Sequence, residues 1–276
     1  FSHAVYAGHF SMIATFAWTP GVFLAAEYFI RKRNLQSSLL LSLLAVAQYM
    51  AGHIQIFFYT ILSVGVYSLL RLISYRAFAL KKLKHYAFYA GISITIFFSL
   101  IAIQLLPTYE LSKYSVREHG LSYERATWGE LEWIDIILFG LPYYFGSPDN
   151  FKGNFNFWEA ISYIGFLPIA FIAVAVLARP KNYVAAISVV LGLNLWFSLG
   201  SNAGFFRIMY SLVPGIDFFA VPSRMMFIGV ILASVLAAIG MDILANHNNE
   251  RIEKLAKRAL YTLFLVLGGS LLYDSA

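Results

Sequence analysis

The chain has 276 residues, of which 60% are hydrophobic and 12% charged, and its mean hydropathy is +0.70. An ordinary soluble domain carries about 25% charged residues, so this composition excludes one and implies an integral membrane protein. The net charge of +6 falls in short basic blocks between apolar runs, as orientation signals do, which argues against nucleic acid; the absence of cysteine excludes disulfides, thiolate nucleophiles and cysteine-based metal sites.

Apolar runs of about the 20 residues needed to cross a hydrocarbon core recur along the chain, which a cleaved signal peptide does not explain. Eight such segments are predicted: 4–30, 35–51, 54–75, 86–106, 159–178, 182–199, 223–244 and 259–273. Only helices satisfy their own backbone at this length in lipid, so each is expected to be a spanning helix. The expected fold is an all-α, polytopic helical bundle forming a single transmembrane domain over 1–276. Interfacial or re-entrant helices are expected in its outer loops, 107–158 and 200–222. Beginning at Phe1 and ending just after an apolar segment, the chain reads as an internal fragment of a longer protein.

Basic residues set the orientation. Arg31, Lys32 and Arg33, the group from Arg71 to Lys84, the pair Arg179 and Lys181, and the group from Arg251 to Arg258 place fourteen of the twenty Lys and Arg on one side. The positive-inside rule makes that side cytoplasmic. This alternation requires a turn at 51–54, where Gly52 favours a helix stop, and a non-crossing segment at 134–145, which Gly140 and Pro142 interrupt. The region 104–159, with eight of the fourteen acidic residues, then lies outside. Its aromatic clusters, Tyr143 to Phe145 and Phe151 to Trp158, fit an interfacial belt or a platform for a sugar ring or isoprenoid tail.

Three polar constellations stand at the expected outer surface. Gly52, His53, Gln55 and Tyr59 sit between two helices, where His53 reads either as a phosphate donor and proton relay or as a tie for free backbone groups. In the segment from Gln104 to Glu118, Pro107 predicts a kink or break at Leu106, leaving Tyr109, Glu110 and Arg117 at the lip of the bundle. Glu110 suits a base or metal ligand and Arg117 a phosphate grip, against a plain solvated loop. The third runs from Ser198 to Arg224, with a surface helix over FFRIMYSLV ended by Pro214 and Gly215. Pro222 then starts the next helix, with Ser223 and Arg224 in its first turn. There Arg224 reads as part of an anion site or as a side chain reaching for lipid headgroups. Nucleotide-loop, HExxH and GxSxG motifs are missing. Ionisable residues deep in the spans are few, with Glu27 and Asp242 near helix ends.

The motifs GHIQIFFY, QLLPTYELSKYSVRE, LPYYFG followed by FWEAISYIGFLP, and SLGSNAGFFRIMYSLVPGIDFFAVPSR followed by GMDIL, in that order, resemble bacterial YfhO-type membrane proteins between Trp18 and Leu244. Those proteins are similar to GT-C class glycosyltransferases. The resemblance implies transfer of a sugar from a polyprenyl-phosphate donor in the plasma membrane to an extracytoplasmic cell-envelope polymer. It assigns His53, Gln55, Tyr109, Arg117 and Arg224 to the donor phosphate or substrate and leaves Glu110 as the candidate catalytic carboxylate. GT-C enzymes usually carry that carboxylate in the first outer loop, which would lie upstream of Phe1. No certain cofactor is implied, although such sites accommodate a divalent cation. Ile54 stands where the family often has proline. The alternatives are a transporter or flippase of lipid-linked substrates, which would need polar residues at mid-membrane depth, and a non-catalytic membrane scaffold.

Overall fold

The computed structural model describes residues 8–75, 80–115, 118–153, 157–160, 162–178, 181–246, 254 and 261. Every regular element among them is helical. The longer helices are α1 (Phe10–Ala17), α2 (Thr19–Lys32), α3 (Leu35–Met50), α4 (Ile54–Ser74) and α5 (Leu80–Ser112). After the short α6 (Tyr123–Thr127) and α7 (Phe157–Ala160) come α8 (Phe166–Leu177), α9 (Asn182–Ser198), α10 (Phe205–Leu212) and α11 (Met225–Asn246).

Among the described residues, four stretches are long and apolar enough to cross a bilayer: Phe10–Lys32, Ile54–Ser74, Leu83–Ser112 and Pro222–Asn246, of 23, 21, 30 and 25 residues. That differs from the eight expected. Leu35–Met50 and Asn182–Ser198 are apolar but shorter, and 259–273 lies outside the described residues apart from Tyr261. The segment expected over 159–178 is divided. After α7 the chain turns at Gly165, where φ is +94°, and Gly165 and Ile164 both donate their N–H to the carbonyl of Phe139 at 2.9 Å. The twelve residues of α8 that follow rise only about 18 Å.

A second correction concerns Pro107. No break falls at Leu106, because α5 runs through Pro107 to Ser112. Proline lacks one backbone donor, but its fixed φ is helical, and apolar membrane helices tolerate it more readily than soluble ones.

The chain forms two compact units, Phe1–Leu131 with Asn194–Ile228, and Glu132–Leu193 with Gly229–Ala276. In the first, α2 ends at Arg33 in a left-handed conformation, and Asn34 caps α3 by accepting from the Ser37 N–H at 2.9 Å. Serines join α3 to α5. Ser42 donates to the Ser93 carbonyl at 2.9 Å and Ser93 to the Ser38 carbonyl at 3.1 Å, so small hydroxyl residues let these two helices approach closely. Gly52, at φ +95°, ends the turn after α3 as its sequence position predicts.

The same unit holds a cap of loops. Leu121 donates to the Asp217 carbonyl at 2.7 Å, Val221 to that of Trp128 at 2.9 Å and Leu131 to that of Ser198 at 2.9 Å. Glu130 closes the turn at Gly200–Asn202 by accepting from the Ser201 N–H at 2.5 Å and hydroxyl at 2.6 Å. The surface helix α10 forms where expected and buries Phe206 against Phe197.

In the second unit, 134–145 contains the 3₁₀ helix Trp133–Phe139 rather than a crossing. Phe157 stacks on Tyr143 and meets Phe151 and Trp158 edge-on. Helices α8 and α11 pack there through Val174, Ala178, Ile243 and Leu244.

Candidate functional site

Arg224 and Gln55 are brought together at the N-terminal end of α4 by an unusual local path. Val221 takes a left-handed φ of +62°, which a β-branched residue adopts only when its surroundings force it. Its N–H is anchored on the Trp128 carbonyl at 2.9 Å, and Pro222 then starts the 3₁₀ turn Pro222–Arg224 that leads into α11. The reversal aims Arg224 at α4, where its Nη1 donates to Gln55 Oε1 at 3.0 Å. The Gln55 amide nitrogen donates to the Ala220 carbonyl at 2.5 Å and to the Tyr59 hydroxyl at 3.1 Å. Gln55 and Tyr59 are buried while Arg224 remains partly open.

His53 adjoins this group as the cap of α4. Its Nδ1 accepts from the Ile56 N–H at 3.3 Å and its own N–H donates to Thr15 Oγ1 at 3.0 Å. Of the two readings of His53 in the sequence, the backbone tie is the one the structure contains. Its ring caps a helix with a partner at Nδ1.

Tyr109 and Glu110 lie in the last turn of α5, both exposed. Lys113 stands over the Tyr109 ring at 4.9 Å. Neither Tyr109 nor Glu110 makes a side-chain hydrogen bond or ion pair to His53, Gln55 or Arg224 among the described residues. Arg117 lies outside them. Thus three of the six expected residues, His53, Gln55 and Arg224, stand together at one end of α4.

At the other end of α4 the structure places a polar cluster that the sequence left unassigned. Arg71, which the sequence groups with the loop cations, is in α4 and buried. Its Nε and Nη2 donate to the two Glu27 oxygens at 2.9 and 2.6 Å. Tyr67 and Arg31 donate to the same carboxylate at 2.9 and 2.7 Å, and Arg71 also reaches the Tyr75 hydroxyl at 2.8 Å. The correction follows from packing: the helix expected over 54–75 forms as α4, and its last turns lay Arg71 against Glu27 of α2 instead of in the basic loop.

Uncharged polar residues lie between these ends. The Gln48 amide nitrogen donates to Thr19 Oγ1 and Thr60 Oγ1, both at 2.9 Å, and Ser63 donates to Asn194 Oδ1 at 3.1 Å. All five are buried. One signal was readable: Gln55, Tyr59, Ser63, Tyr67 and Arg71 recur every four residues, so each neighbours the next along a stripe that winds round α4.

Outside the longer helices, Asp135 and Tyr123 are shifted from their ordinary values. Burial pushes the Asp135 carboxyl above its ordinary range, partly offset by the Glu132 N–H that it accepts at 2.8 Å. Burial, with the nearby Glu130 charge, raises the Tyr123 phenol. No group of three or more His, Asp or Glu suited to a metal ion occurs among the described residues. Comparison with protein-family models, curated proteins and solved structures finds no match to this chain.

Proposed function

We propose that the protein is a bacterial plasma-membrane glycosyltransferase of GT-C type, taking a sugar from a polyprenyl-phosphate donor to an extracytoplasmic cell-envelope acceptor. The observation that carries this reading is the Arg224–Gln55 hydrogen bond, which joins two expected substrate residues 169 positions apart. The strained Val221 supports it, since backbone strain of about 1–3 kcal/mol clusters at functional sites. In this reading the end of α4 bearing His53 faces outward and the basic end faces the cytoplasm, as the distribution of Lys and Arg favours.

The chemistry assigned to these residues is electrostatic. The leaving lipid phosphate gains negative charge as the glycosidic bond breaks, and a guanidinium fixed by Gln55 offers preorganised donors to that charge. The acceptor hydroxyl must lose a proton to a carboxylate, a role that falls to Glu110. Its exposed position in the last turn of α5 leaves the carboxylate within reach of a solvent-borne acceptor. The test is sugar transfer from a polyprenyl-phosphate donor by the full-length protein in proteoliposomes. Arg224→Ala and Arg117→Ala are expected to abolish transfer at normal expression, and near-normal turnover in both overturns the assignment.

A second reading, movement of a lipid-linked substrate across the bilayer, is favoured by the buried polar residues Gln48, Thr60, Ser63 and Asn194 between the two ends of α4. Flux of a labelled donor between leaflets without sugar transfer would select it.

A further inference from the structure

The basic end of the first unit is built more tightly than an orientation signal requires. Between Glu27 and Glu110 the chain has eight Lys and Arg and no Asp or Glu. Glu27 is taken up by Arg71 and Arg31, and no carboxylate pairs with Lys32, Arg33 or Lys84 among the described residues. Here the loop from α2 to α3 is fastened to the first turns of α5. The buried Tyr86 donates its hydroxyl to the Ile30 carbonyl at 2.8 Å, and His85 Nε2 donates to the Arg33 carbonyl at 3.1 Å, joining positions 52 apart. The Arg33 guanidinium lies over the Tyr86 ring, 5.1 Å from its centre. Arg33 also ends α2 with a left-handed φ of +50°, a position that favours glycine, so arginine stands there at a conformational cost.

The positive-inside rule accounts for basic loops but not for two of them stapled together. Two stretches able to cross a bilayer end at this point, one at Lys32 and one at Leu83, which sets these cations at headgroup depth in a membrane. Deeper along the same helices, Leu35 and Leu39 of α3 and Phe88 of α5 are exposed. Ser38 donates to the Tyr89 carbonyl at 3.1 Å, so α3 and α5 meet at the level of these apolar side chains. Cations at a helix junction with exposed apolar surface just below them match a phosphate carried on acyl chains. We propose that Arg33, Lys84 and His85 bind the phosphate of an anionic glycerophospholipid, whose chains lie along Leu35, Leu39 and Phe88. This inference uses the membrane character of the chain and is independent of the glycosyltransferase reading, which assigns its donor phosphate to the other end of α4.

The test is native mass spectrometry of the full chain in detergent, titrated with phosphatidylglycerol and with phosphatidylcholine. Wild type is expected to bind phosphatidylglycerol about tenfold more tightly, and equal affinities overturn the proposal. Arg33→Gly combined with Lys84→Gln should remove that preference. Lys152→Gln combined with Lys181→Gln, which changes two exposed cations elsewhere, should keep it. The same loss in both pairs reports net charge alone and overturns the site. Because glycine suits a left-handed residue, Arg33→Gly should hold or raise Tm without lipid, so its lost preference reads binding rather than misfolding. A lowered Tm with the preference intact would make Arg33 a structural clamp and overturn the proposal. Glycerol 3-phosphate, the anion without chains, should not displace phosphatidylglycerol at equal concentration; displacement would overturn a lipid as the occupant.

Discussion

At its C-terminal end α4 holds Arg71 by a carboxylate that meets two of its nitrogens, while at its N-terminal end Arg224 approaches α4 through the neutral amide of Gln55. The first arginine is closed off by Glu27, Tyr67 and Tyr75. The second keeps part of its surface open. Both are cations at the end of one membrane helix, yet their surroundings suit different tasks. A guanidinium matched with a carboxylate has its charge satisfied within the fold, so the Arg71 cluster ties α2 to α4. One steadied by an amide and partly open to solvent suits the phosphate contact proposed for it.

The largest expected effect is on the closed end. Glu27→Ala leaves Arg71 buried without its carboxylate and should cost about 3–5 kcal/mol, seen as a large drop in Tm in detergent. Adding Arg71→Leu should recover much of the loss, because the stranded charge is then gone. A Glu27→Ala protein as stable as wild type would break the comparison at its root.

Arg224→Ala is expected to have the opposite profile. Stability should fall by roughly 1–3 kcal/mol, the cost of leaving the buried Gln55 oxygen without its donor, whereas sugar transfer should be lost. A preserved activity with a large stability loss would make Arg224 another structural clamp.

Asp135 extends the comparison to a buried carboxylate beside which no cation stands among the described residues. Its folded-state pKa is raised by burial, so the folded state keeps its proton to higher pH than the unfolded chain. The group's contribution is therefore fully favourable below the ordinary carboxylate pKa and is lost as pH rises toward the raised value. Thermal unfolding across that window should show stability declining with pH, and Asp135→Asn should flatten the profile. The smallest effect belongs to Glu110→Gln, whose side chain is exposed. Its stability should stay within about 0.5 kcal/mol of wild type, so any loss of transfer in this variant reports on chemistry rather than folding.

Much of the helical layout is legible in the sequence because its punctuation is local. Gly52 stops α3, Pro214 and Gly215 end α10, and Pro222 opens the turn into α11, each through backbone preferences carried by the residue itself. Pro107 misleads because its helix-breaking tendency is weighed against an apolar setting that rewards continued backbone pairing. Gly165 reads as part of a continuous apolar run, and its positive φ divides that run. Among site residues, the meeting of Gln55 with Arg224 depends on the left-handed turn at Val221, which no property of valine announces. The Glu27–Arg71 pair is hidden differently. Arg71 lies beside a basic loop in the sequence, and nothing local to it announces that Glu27 of α2 packs against it.

The most direct test of the central claim is equilibrium binding of polyprenyl phosphate to the full-length protein in nanodiscs of neutral lipid, comparing Arg224→Gln with Arg31→Gln. Both remove one positive charge, from opposite ends of the first unit. Binding at the Arg224 site predicts at least a tenfold loss of affinity, about 1.4 kcal/mol, for Arg224→Gln and wild-type affinity for Arg31→Gln. Equal affinities in the two variants, or a loss confined to Arg31→Gln, would contradict the account.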